Sequence, residues 1–329
     1  MTMLYYKSTT NDPRVNLAIE EYLFNTARED VFMLWQNRPS VILGRFQNAY
    51  EEVNMDVVQS NNVLLIRRIT GGGAVYHDLG NLNYSFICHR DNNERFEFKY
   101  FMDKIVDAIN AVSRKAIIDG RNDITIKGKK VSGNAQHVSG NKVLHHGTLL
   151  FDSDLEVLNK VLKEEDKGIE SKASRSNRRG VTNIKEHLVE EINISAFSEI
   201  IGNTMLKGEA VREIQLDAIA MDQIMTLVRN KYSKWEWNVG VSPKCCIKRK
   251  GAWNEGHMQI QMGVENGVIN EFYIEGDFFA NSSFHKMLDL FVGCKIDREA
   301  LRVPARKCAN SILGLSDEDF ISWIINDID

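Results

Sequence analysis

Three consecutive glycines, Gly71 to Gly73, interrupt the chain between two strand-like segments, within the sequence RRITGGGAVYHD of residues 67–78. Without Cβ atoms, this backbone can approach a ligand closely and can adopt positive φ angles. Its clustered N–H groups can hold an anion such as a phosphate or a carboxylate, and Arg68 beside them can bind phosphate oxygens in bidentate fashion. The pattern lacks the Gly-Lys-Ser/Thr of a P-loop, and it does not open a helix as a dinucleotide fingerprint does. A flexible turn with solvated arginines is the alternative interpretation.

A second polar pattern lies in residues 120–136, with the sequence GRNDITIKGKKVSGNAQ. Lys130, Ser132 and Asn134 alternate along a predicted strand, so a two-residue period places them on one face. A lysine that points into a sheet needs an anionic partner, because an unpaired buried ammonium is costly. A ligand phosphate or carboxylate would supply that partner. The alternative is a half-exposed strand with a solvated face.

Two other places invite a chemical interpretation. His145 and His146 suggest a metal site, but adjacent residues of a strand point to opposite faces. We therefore expect one histidine to line a ligand site and the other to pack elsewhere, and no third ligand has a spacing typical of zinc. Cys88, followed by His89, is a candidate acyl-transfer nucleophile. Its position at the end of a strand favours a small core residue instead.

Composition excludes several classes of partner. The 329 residues are 43% hydrophobic, which is enough for a substantial core and two domains. A net charge of −4 gives no global attraction to nucleic acid or anionic membranes. No apolar run reaches the ~20 residues that span a bilayer, and the polar first ten residues carry no signal core. The five cysteines are odd in number and lack CxxC spacing, so we interpret them as reduced thiols of a cytoplasmic protein.

Apolar periodicity predicts both strands and helices. Asp12 and Pro13 begin a capped amphipathic helix that continues through Leu23. Residues 167–180 are polar and aperiodic, which predicts a mobile loop; its basic part could close over a nucleotide, meet an acidic partner or remain a solvated linker. Residues 265–267 predict a hairpin turn within a small separate α+β domain at 251–329. Further strands are predicted at 31–35, 41–44, 63–66, 82–87, 124–127, 130–138, 143–151, 258–262 and 268–274, and further helices near 101–112, 155–162, 182–188, 196–206, 216–232, 284–291 and 317–325.

Together these segments resemble the lipoate–protein ligase A family. The resemblance is carried by NLAIEE (16–21), VILGRFQN (41–48), the arginine–glycine motif of 68–81, GRND (120–123), KVSGNA (130–135) and HHGTLL (145–150), and it continues through RGVTN (179–183) and WEWN (235–238). It spans most of the chain, and this order of motifs is far more specific than any one of them. We expect a catalytic domain in residues 1–245 and an accessory domain in residues 251–329.

The resemblance implies a mixed sheet flanked by helices, as in biotin–protein ligases and class II aminoacyl-tRNA synthetases. It implies an enzyme that uses ATP and Mg²⁺ to activate lipoate as its adenylate. The lipoyl group would pass to a lysine of carrier domains, such as the E2 subunits of 2-oxoacid dehydrogenases and the glycine cleavage H protein. Neither nucleic acid nor a membrane is an expected partner.

The resemblance also implies roles for individual residues. Lys130 matches the family's lysine that touches both the lipoate carboxylate and the α-phosphate, and it is the expected catalytic residue. Asp123 matches a position near the adenylate, where it would hold Mg²⁺ or orient the acceptor amine. The nucleotide would be bound by Arg68, Gly73, Ala74, Val75, Tyr76, Asn122, Asp123 and Lys130. Lipoate would be bound by Gly72, Gly73, His77, Asn81, Lys130, Ser132, Gly133, Ala135, His146 and Gly147, with Leu17, Phe24, Phe46 and Val75 as candidates for an apolar slot.

Three other functions compete with this interpretation. Acyl transfer between carriers without ATP would use a cysteine acyl-enzyme, for which only Cys88 lies before residue 245. Biotin–protein ligase is disfavoured because the chain has the Arg-x-x-Gly-Gly-Gly pattern in place of that family's glycine–arginine loop. A non-catalytic binder of a lipoate-like acid or of a carrier would not need Lys130, Arg68 and Asp123 together.

Overall fold

The computed structural model describes residues 2–89, 98–113, 115–120, 122–162, 169–171, 180–242, 245–278, 280–281 and 284–325. The chain divides into two compact units. The first comprises Met1–Arg45, Val63–Asn159 and Ser176–Lys234, and the second comprises Phe46–Asn62, Lys160–Arg175 and Trp235–Asp329. The second unit thus draws on two earlier segments that the accessory region predicted at 251–329 did not include.

The strands of the described residues follow in chain order. They are β1 (Thr2–Lys7), β2 (Val31–Trp35), β3 (Ser40–Leu43), β4 (Leu64–Arg67), β5 (Val75–His77), β6 (Asn81–His89), β7 (Ala116–Asp119), β8 (Asp123–Ile126), β9 (Lys129–Ser139), β10 (Lys142–Leu150), β11 (Ile169–Ser171), β12 (Ala210–Glu213), β13 (Cys245–Trp253), β14 (Gly256–Glu265) and β15 (Val268–Asp277).

The α-helices of the described residues are interspersed with these strands. They are α1 (Pro13–Thr26), α2 (Ala49–Glu52), α3 (Met55–Ser60), α4 (Phe98–Asn110), α5 (Leu155–Val161), α6 (Ile194–Leu206), α7 (Ala218–Leu227), α8 (Phe284–Leu288), α9 (Arg298–Ala309) and α10 (Asp317–Ile325). Two short 3₁₀ turns (Ile184–His187 and Asp289–Phe291) and two π turns (Val228–Tyr232 and Glu236–Gly240) complete the helical structure. The predicted helix near 182–188 is therefore a 3₁₀ turn, and the helix predicted at 216–232 ends in a π turn.

An eight-stranded mixed sheet forms the centre of the first unit, in the order β12-β1-β2-β6-β10-β9-β8-β7. β12, β1 and β2 are parallel, whereas the other neighbours are antiparallel. Helices α4 and α6 cover one face, where Phe86, Phe101 and Phe197 belong to a single apolar core. The expectation of a mixed sheet flanked by helices is confirmed.

Helix α1 packs against β2, β4 and β6 of the first unit. It begins as predicted, because Asp12 accepts a hydrogen bond from the backbone N–H of Arg14 and Pro13 occupies the first turn. At its other end, the Lys142 ammonium donates to the carbonyls of Phe24 (3.0 Å) and Ala27 (2.6 Å). These bonds satisfy backbone acceptors that a helix end otherwise leaves open.

A three-stranded sheet, β4-β3-β5, completes the first unit, and the triple glycine connects β4 to β5 as predicted. The second unit contains an antiparallel sheet, β11-β13-β14-β15. Asn266 and Gly267 form the predicted hairpin turn with φ angles of 51° and 73°, the left-handed pair that two-residue hairpins require. Among the described residues, no helix is long and apolar enough to cross a membrane.

Candidate active site

A β-bulge in β9 determines which side chains face the ligand side of the large sheet. Ser132 pairs with Ile124 of β8, but the next pair joins Lys130 to Thr125, so Val131 is an extra residue. Lys130 therefore shares a face with Gly133, and Ser132 shares the opposite, core face with Ile124. The prediction that Lys130, Ser132 and Asn134 lie on one face is wrong, because the bulge breaks the two-residue period.

The Lys130 side chain lies across Gly133 and ends beside Asp123. Its ammonium is 2.8 Å from Asp123 Oδ1, and the two side chains are only 21% and 11% exposed. A methyl group placed on Gly133 would lie 2.8 Å from Lys130 Nζ and 2.9 Å from Cε. The absence of a side chain at residue 133 thus allows the lysine to lie flat on the sheet.

The backbone of Lys130 is bound to the chain that follows the basic loop. Lys130 N–H donates to the Gly180 carbonyl (2.8 Å), and Thr182 N–H donates to the Lys130 carbonyl (3.0 Å). Of the loop predicted at 167–180, only residues 169–171 and 180 are among the described residues. The predicted closure of that loop falls mainly outside them.

The glycine bend lies over the same face of the sheet. A methyl group on Gly72 would be 3.7 Å from Ala135 Cβ, two residues along β9 from Gly133. Gly72 has a φ of 88°, a conformation that disfavours a side chain. The bend and Lys130 therefore lie over the same face of the sheet.

Arg68 holds the carbonyls of this bend. Its Nη2 donates to the carbonyls of Gly71 (2.6 Å) and Gly73 (2.9 Å), its Nη1 to Ile42 (3.0 Å), and its Nε to the Thr70 hydroxyl (2.8 Å). Burial lowers the pKa of Arg68 to about 10, and nearby Glu20 opposes that shift. Because four hydrogen bonds already use most of its N–H groups, Arg68 has too few free donors for the expected bidentate contact with a phosphate. Its clearest role is to hold the bend in shape.

The Gly71 and Gly73 carbonyls accept hydrogen bonds from Arg68, whereas the N–H groups of the bend remain available to a ligand. Within the described part of the chain, the N–H groups of residues 71–73 donate no hydrogen bond. Three successive free donors on a bend form a suitable site for an anion.

A buried hydrogen-bond chain connects α1 to the same bend. Glu20 Oε1 accepts from the Ser85 hydroxyl (2.6 Å) and from His146 Nδ1 (2.8 Å). The other nitrogen of His146 lies 2.8 Å from the Thr70 hydroxyl, which itself accepts from Arg68. Both ring nitrogens of His146 are thus engaged by the protein, so its ring can line a ligand pocket but has no nitrogen left for the ligand.

A row of residues crosses the ligand face from β9 to β2. Gly133 N–H donates to the Thr148 hydroxyl (3.2 Å), Thr148 pairs with Asn83, and Asn83 pairs with Trp35. Since neighbouring strands are about 4.8 Å apart, Trp35 lies about 14 Å from Gly133 along this row. The row ends at His77, whose ring meets that of Trp35 edge-on at a centroid distance of 5.8 Å.

The structure brings only some of the predicted site residues together. Gly72, Gly133, Ala135 and His146 line the ligand face with Lys130 and Asp123, as described above. Asn81 lies on β6 beside Asn83, to which its amide donates at 2.9 Å. Asn122 extends the β8 ladder and donates to the Asn134 carbonyl (3.1 Å).

Other predicted site residues lie elsewhere. Ser132 is on the core face, and so is Gly147, where a methyl group would lie 2.5 Å from Asn134 Oδ1. Tyr76 has a buried side chain, so only its backbone is suitably placed for a nucleotide. Phe46, a candidate for the apolar slot, is 64% exposed and belongs to the second unit.

The histidine and cysteine predictions can also be compared with the structure. His145 lies on the core face, stacked on Phe101 at 4.6 Å, and His146 lies on the ligand face, so their predicted separation is confirmed. Cys88 belongs to the apolar core, and His89 contacts Asp30 at 3.4 Å. The core interpretation of Cys88 is confirmed.

Sequence reasoning missed Glu20, Thr70 and Ser85 as members of the site. A signal for Glu20 was present, because it lies three residues after Leu17 and three before Leu23 on the apolar stripe of α1. A carboxylate on such a stripe must find a buried polar partner. Thr70 and Ser85 carry no comparable pattern.

Comparison with known families agrees with this architecture. Residues 12–206 match the model of the lipoyl protein ligase A/B catalytic domain, and residues 242–324 match that of the bacterial lipoate protein ligase C-terminus. The two matches identify the chain as an enzyme of the ligase class.

Individual relatives establish the family to which the chain belongs. The chain is 40% identical over 290 residues to lipoate–protein ligase 1 of Staphylococcus aureus, covering 88% of each chain. It is 37% identical over 297 residues to the lipoate-protein ligase LplJ of Bacillus subtilis, covering 88% of this chain and 89% of that one. The chain belongs to the lipoate–protein ligase family.

Solved structures share the fold. A bi-partite lipoate protein ligase from Thermoplasma acidophilum, studied with its E2 lipoyl domain, has a TM-score of 0.62 at 26% identity and covers 73% of this chain and 96% of its own. Another structure from that organism, with bound lipoic acid, has a TM-score of 0.61 at 27% identity over 73% and 98% of the two chains. A lipoate-protein ligase A bound with ATP has a TM-score of 0.60 at 27% identity over 73% and 98%.

Proposed function

We propose that this protein activates lipoate with ATP to form lipoyl-AMP and then transfers the lipoyl group to a lysine of a carrier domain. The observation that carries the proposal is the position of Lys130, which lies over Gly133 beside Asp123, on the same face of the sheet as the glycine bend. Related structures contain lipoic acid or ATP, and a related ligase was studied with its E2 lipoyl domain, which supports these ligands here.

The first step must overcome the repulsion between a carboxylate and a polyphosphate. The Lys130 ammonium can contact both groups, and the free N–H donors of residues 71–73 can hold an anionic oxygen. Such fixed donors stabilise developing negative charge without reorganisation. A lipoate carboxylate oxygen then attacks the α-phosphorus, the bond to the β-phosphate oxygen breaks, and pyrophosphate leaves.

The second step needs a neutral amine and an activated acyl group. The carrier lysine attacks the carbonyl carbon of lipoyl-AMP, its extra proton is lost, and AMP leaves as the amide forms. The mixed anhydride is already activated, so no enzyme nucleophile is required, in agreement with the core position of Cys88. E2 subunits and the glycine cleavage H protein are the carriers that the family resemblance suggests.

Asp123, whose Oδ1 contacts the Lys130 ammonium, is the residue we propose for Mg²⁺. Among the described residues no group of three or more His, Cys, Asp or Glu side chains could hold a metal, but Mg²⁺ on a nucleotide typically takes one or two carboxylates together with phosphates and water. When bound, the ion would neutralise phosphate charge. Orientation of the acceptor amine is the second proposed role of Asp123.

The domain boundaries belong to the same proposal. We place the adenylate-forming chemistry in residues 1–245 and an accessory function in residues 251–329. The family matches, at 12–206 and 242–324, support this order of domains. A cytoplasmic location stays a prediction.

Mass spectrometry of an apo lipoyl domain tests the function directly. Incubation with the enzyme, ATP, Mg²⁺ and lipoate should add one lipoyl group to the target lysine, and omission of ATP should prevent it. Lys130→Met should reduce ATP–pyrophosphate exchange by about a hundredfold to a thousandfold. Lys99→Met, which changes an exposed lysine paired with Asp103 on α4, serves as the control. Normal exchange in Lys130→Met, or a carrier of unchanged mass, would refute the proposal.

A further inference from the structure

The ligand face contains a buried histidine whose hydrogen bonds are incomplete within the described part of the chain. His77 is 3% exposed, and its Nε2 has no hydrogen-bond partner among the described residues. A buried polar atom left unpaired is destabilising. His77 Nε2 is therefore a candidate contact for the substrate.

A chain of hydrogen bonds determines which nitrogen of His77 carries the proton. Asn16 Nδ2 donates to the Thr10 carbonyl (3.0 Å), to the Gln36 carbonyl (2.8 Å) and to Asn37 Oδ1 (2.9 Å). The orientation of the Asn37 amide follows, because its oxygen must be the acceptor from Asn16. Its Nδ2 is then the atom that lies 3.0 Å from His77 Nδ1.

The amide of Asn37 can only donate to this nitrogen, so His77 Nδ1 accepts and Nε2 carries the hydrogen. Burial lowers the pKa of His77 to about 3, and Arg68 and His146 add to the shift. The ring is therefore neutral at physiological pH, with a single N–H group directed away from Asn37.

The estimated length of the row that joins Lys130 to His77 also suits the substrate. It contacts Trp35, at the end of the row that begins at Gly133 about 14 Å away. Five C–C bonds of about 1.5 Å and a dithiolane ring place the sulfurs of extended lipoate on the order of 9 Å from its carboxylate. With one contact of about 3 Å at each end, the chain spans this row.

We propose that the Nε2–H group of His77 donates a hydrogen bond to a dithiolane sulfur and thereby makes the enzyme prefer lipoate to octanoate. This inference depends on the proposed function. A ring sulfur is a weak acceptor, whereas the methylenes of octanoate accept nothing. Octanoate therefore leaves the donor unpaired, which corresponds to roughly a tenfold loss.

The neighbouring Asn83 strengthens this assignment. Its Nδ2 is also buried without a hydrogen-bond partner in the described part of the chain, and Asn83 pairs with Trp35 at the same end of the row. The end of the row opposite Lys130 thus has two unpaired side-chain donors among the described residues, and an entirely aliphatic substrate would leave both without a partner.

Pyrophosphate release with lipoate and with octanoate tests the proposal. We expect wild-type enzyme to prefer lipoate in kcat/KM. His77→Phe keeps a ring against Trp35 but removes the donor, so kcat/KM for lipoate should fall about tenfold while that for octanoate stays within about twofold. His257→Phe, an exposed histidine of the second unit, is the matched control and should keep the wild-type ratio.

A second variant keeps the imidazole of His77 but moves its hydrogen from Nε2 to Nδ1. Asn37→Asp retains the oxygen that accepts from Asn16 but replaces the donor to His77 with an acceptor. Assayed at about pH 9, where the ring is neutral even beside a carboxylate, His77 donates from Nδ1 and Nε2 carries no hydrogen, so the preference for lipoate should again fall about tenfold. This variant decides the matter if His77→Phe does not fold.

Three results would overturn the proposal. These are a wild-type enzyme without preference, an unchanged lipoate-to-octanoate ratio in folded variants, and a proportional loss with both acids, which would indicate a packing role. If wild-type enzyme releases pyrophosphate with neither acid, the proposed function itself fails, and that outcome is distinct from the other three.

Discussion

A single methyl group at Gly133 should inactivate the enzyme without unfolding it. The added carbon would lie 2.8 Å from Lys130 Nζ and 2.9 Å from Cε. Non-bonded contacts with carbon are normally about 3.5–4.0 Å, so the end of the lysine must move by about 1 Å. The atoms that move are the far end of a flexible side chain, and the backbone of β9 can remain in place.

The cost to stability should be small. The displaced ammonium moves about 1 Å away from Asp123, which weakens a mostly buried ion pair by about 1–2 kcal/mol without removing either partner. The cost to catalysis should be large, because a misplacement of 1 Å in a reacting group can reduce the rate by about a hundredfold. We therefore expect Gly133→Ala to unfold near the wild-type temperature and to lose about two orders of magnitude in kcat.

ATP–pyrophosphate exchange with lipoate measures the catalytic loss, and thermal unfolding measures stability. The control is Gly202→Ala in α6, where the nearest atoms, Leu34 Cδ1 and Tyr5 Oη, would be at an ordinary 3.4 Å; its exchange rate should be unchanged. A Gly133→Ala enzyme that exchanges pyrophosphate at the wild-type rate would show that the lysine over Gly133 does not act in activation.

Three further predictions concern the glycine bend, acid stability and the buried thiol. A methyl group at Gly44 would overlap the Gly72 carbonyl, so Gly44→Ala should displace the bend, lower exchange and cost about 1–3 kcal/mol in urea unfolding; a stable, active variant would contradict the geometry. Burial lowers the pKa of His77 to about 3 and that of His145 well below 6.5. The unfolded chain binds these protons below about pH 6.5 and the folded chain does not, so each histidine should cost up to about 1.4 kcal/mol per pH unit as the pH falls. His145→Gln should reduce that slope between pH 6.5 and 5, and an unchanged slope would argue against a neutral ring. Cys88→Ser should keep lipoyl transfer to a carrier, measured by mass spectrometry, whereas normal adenylation with lost transfer would indicate an acyl-enzyme.

Elements with clear apolar periodicity or strong turn residues could be predicted from the sequence. The capped helix α1 and the Asn266–Gly267 hairpin are examples, since a local pattern specifies each of them. β12 was missed because all four of its residues are exposed at the edge of the sheet, where no buried face requires apolar and polar residues to alternate. Helix α9 was missed because Pro304 lies within it, and proline usually ends a helix.

The sequence predicted which residue types form the candidate site better than it predicted the sheet face on which each side chain lies. The glycine bend and Lys130 were recognised from their residue types and Asp123 from the family resemblance, and Asp123 lies beside Lys130 in the structure. The face of Lys130 relative to Ser132 could not be predicted, because one extra residue in β9 reverses the alternation and no local sequence signal marks that bulge. Gly147 directly follows His146 on the regular strand β10, so simple alternation already places it on the opposite face. The bond from Glu20 to His146 joins residues 126 positions apart, which only the tertiary structure reveals.

The extra residue in β9 also links the packing of the apolar core to the position of the Lys130 ammonium. Val131 is fully buried in the apolar core, while its neighbour Lys130 points to the other side of the sheet. A change in core volume beneath Val131 would shift the backbone that carries the ammonium, although the altered side chain touches no ligand. Catalytic efficiency in this enzyme should therefore be sensitive to hydrophobic repacking on the side of the sheet where no chemistry takes place.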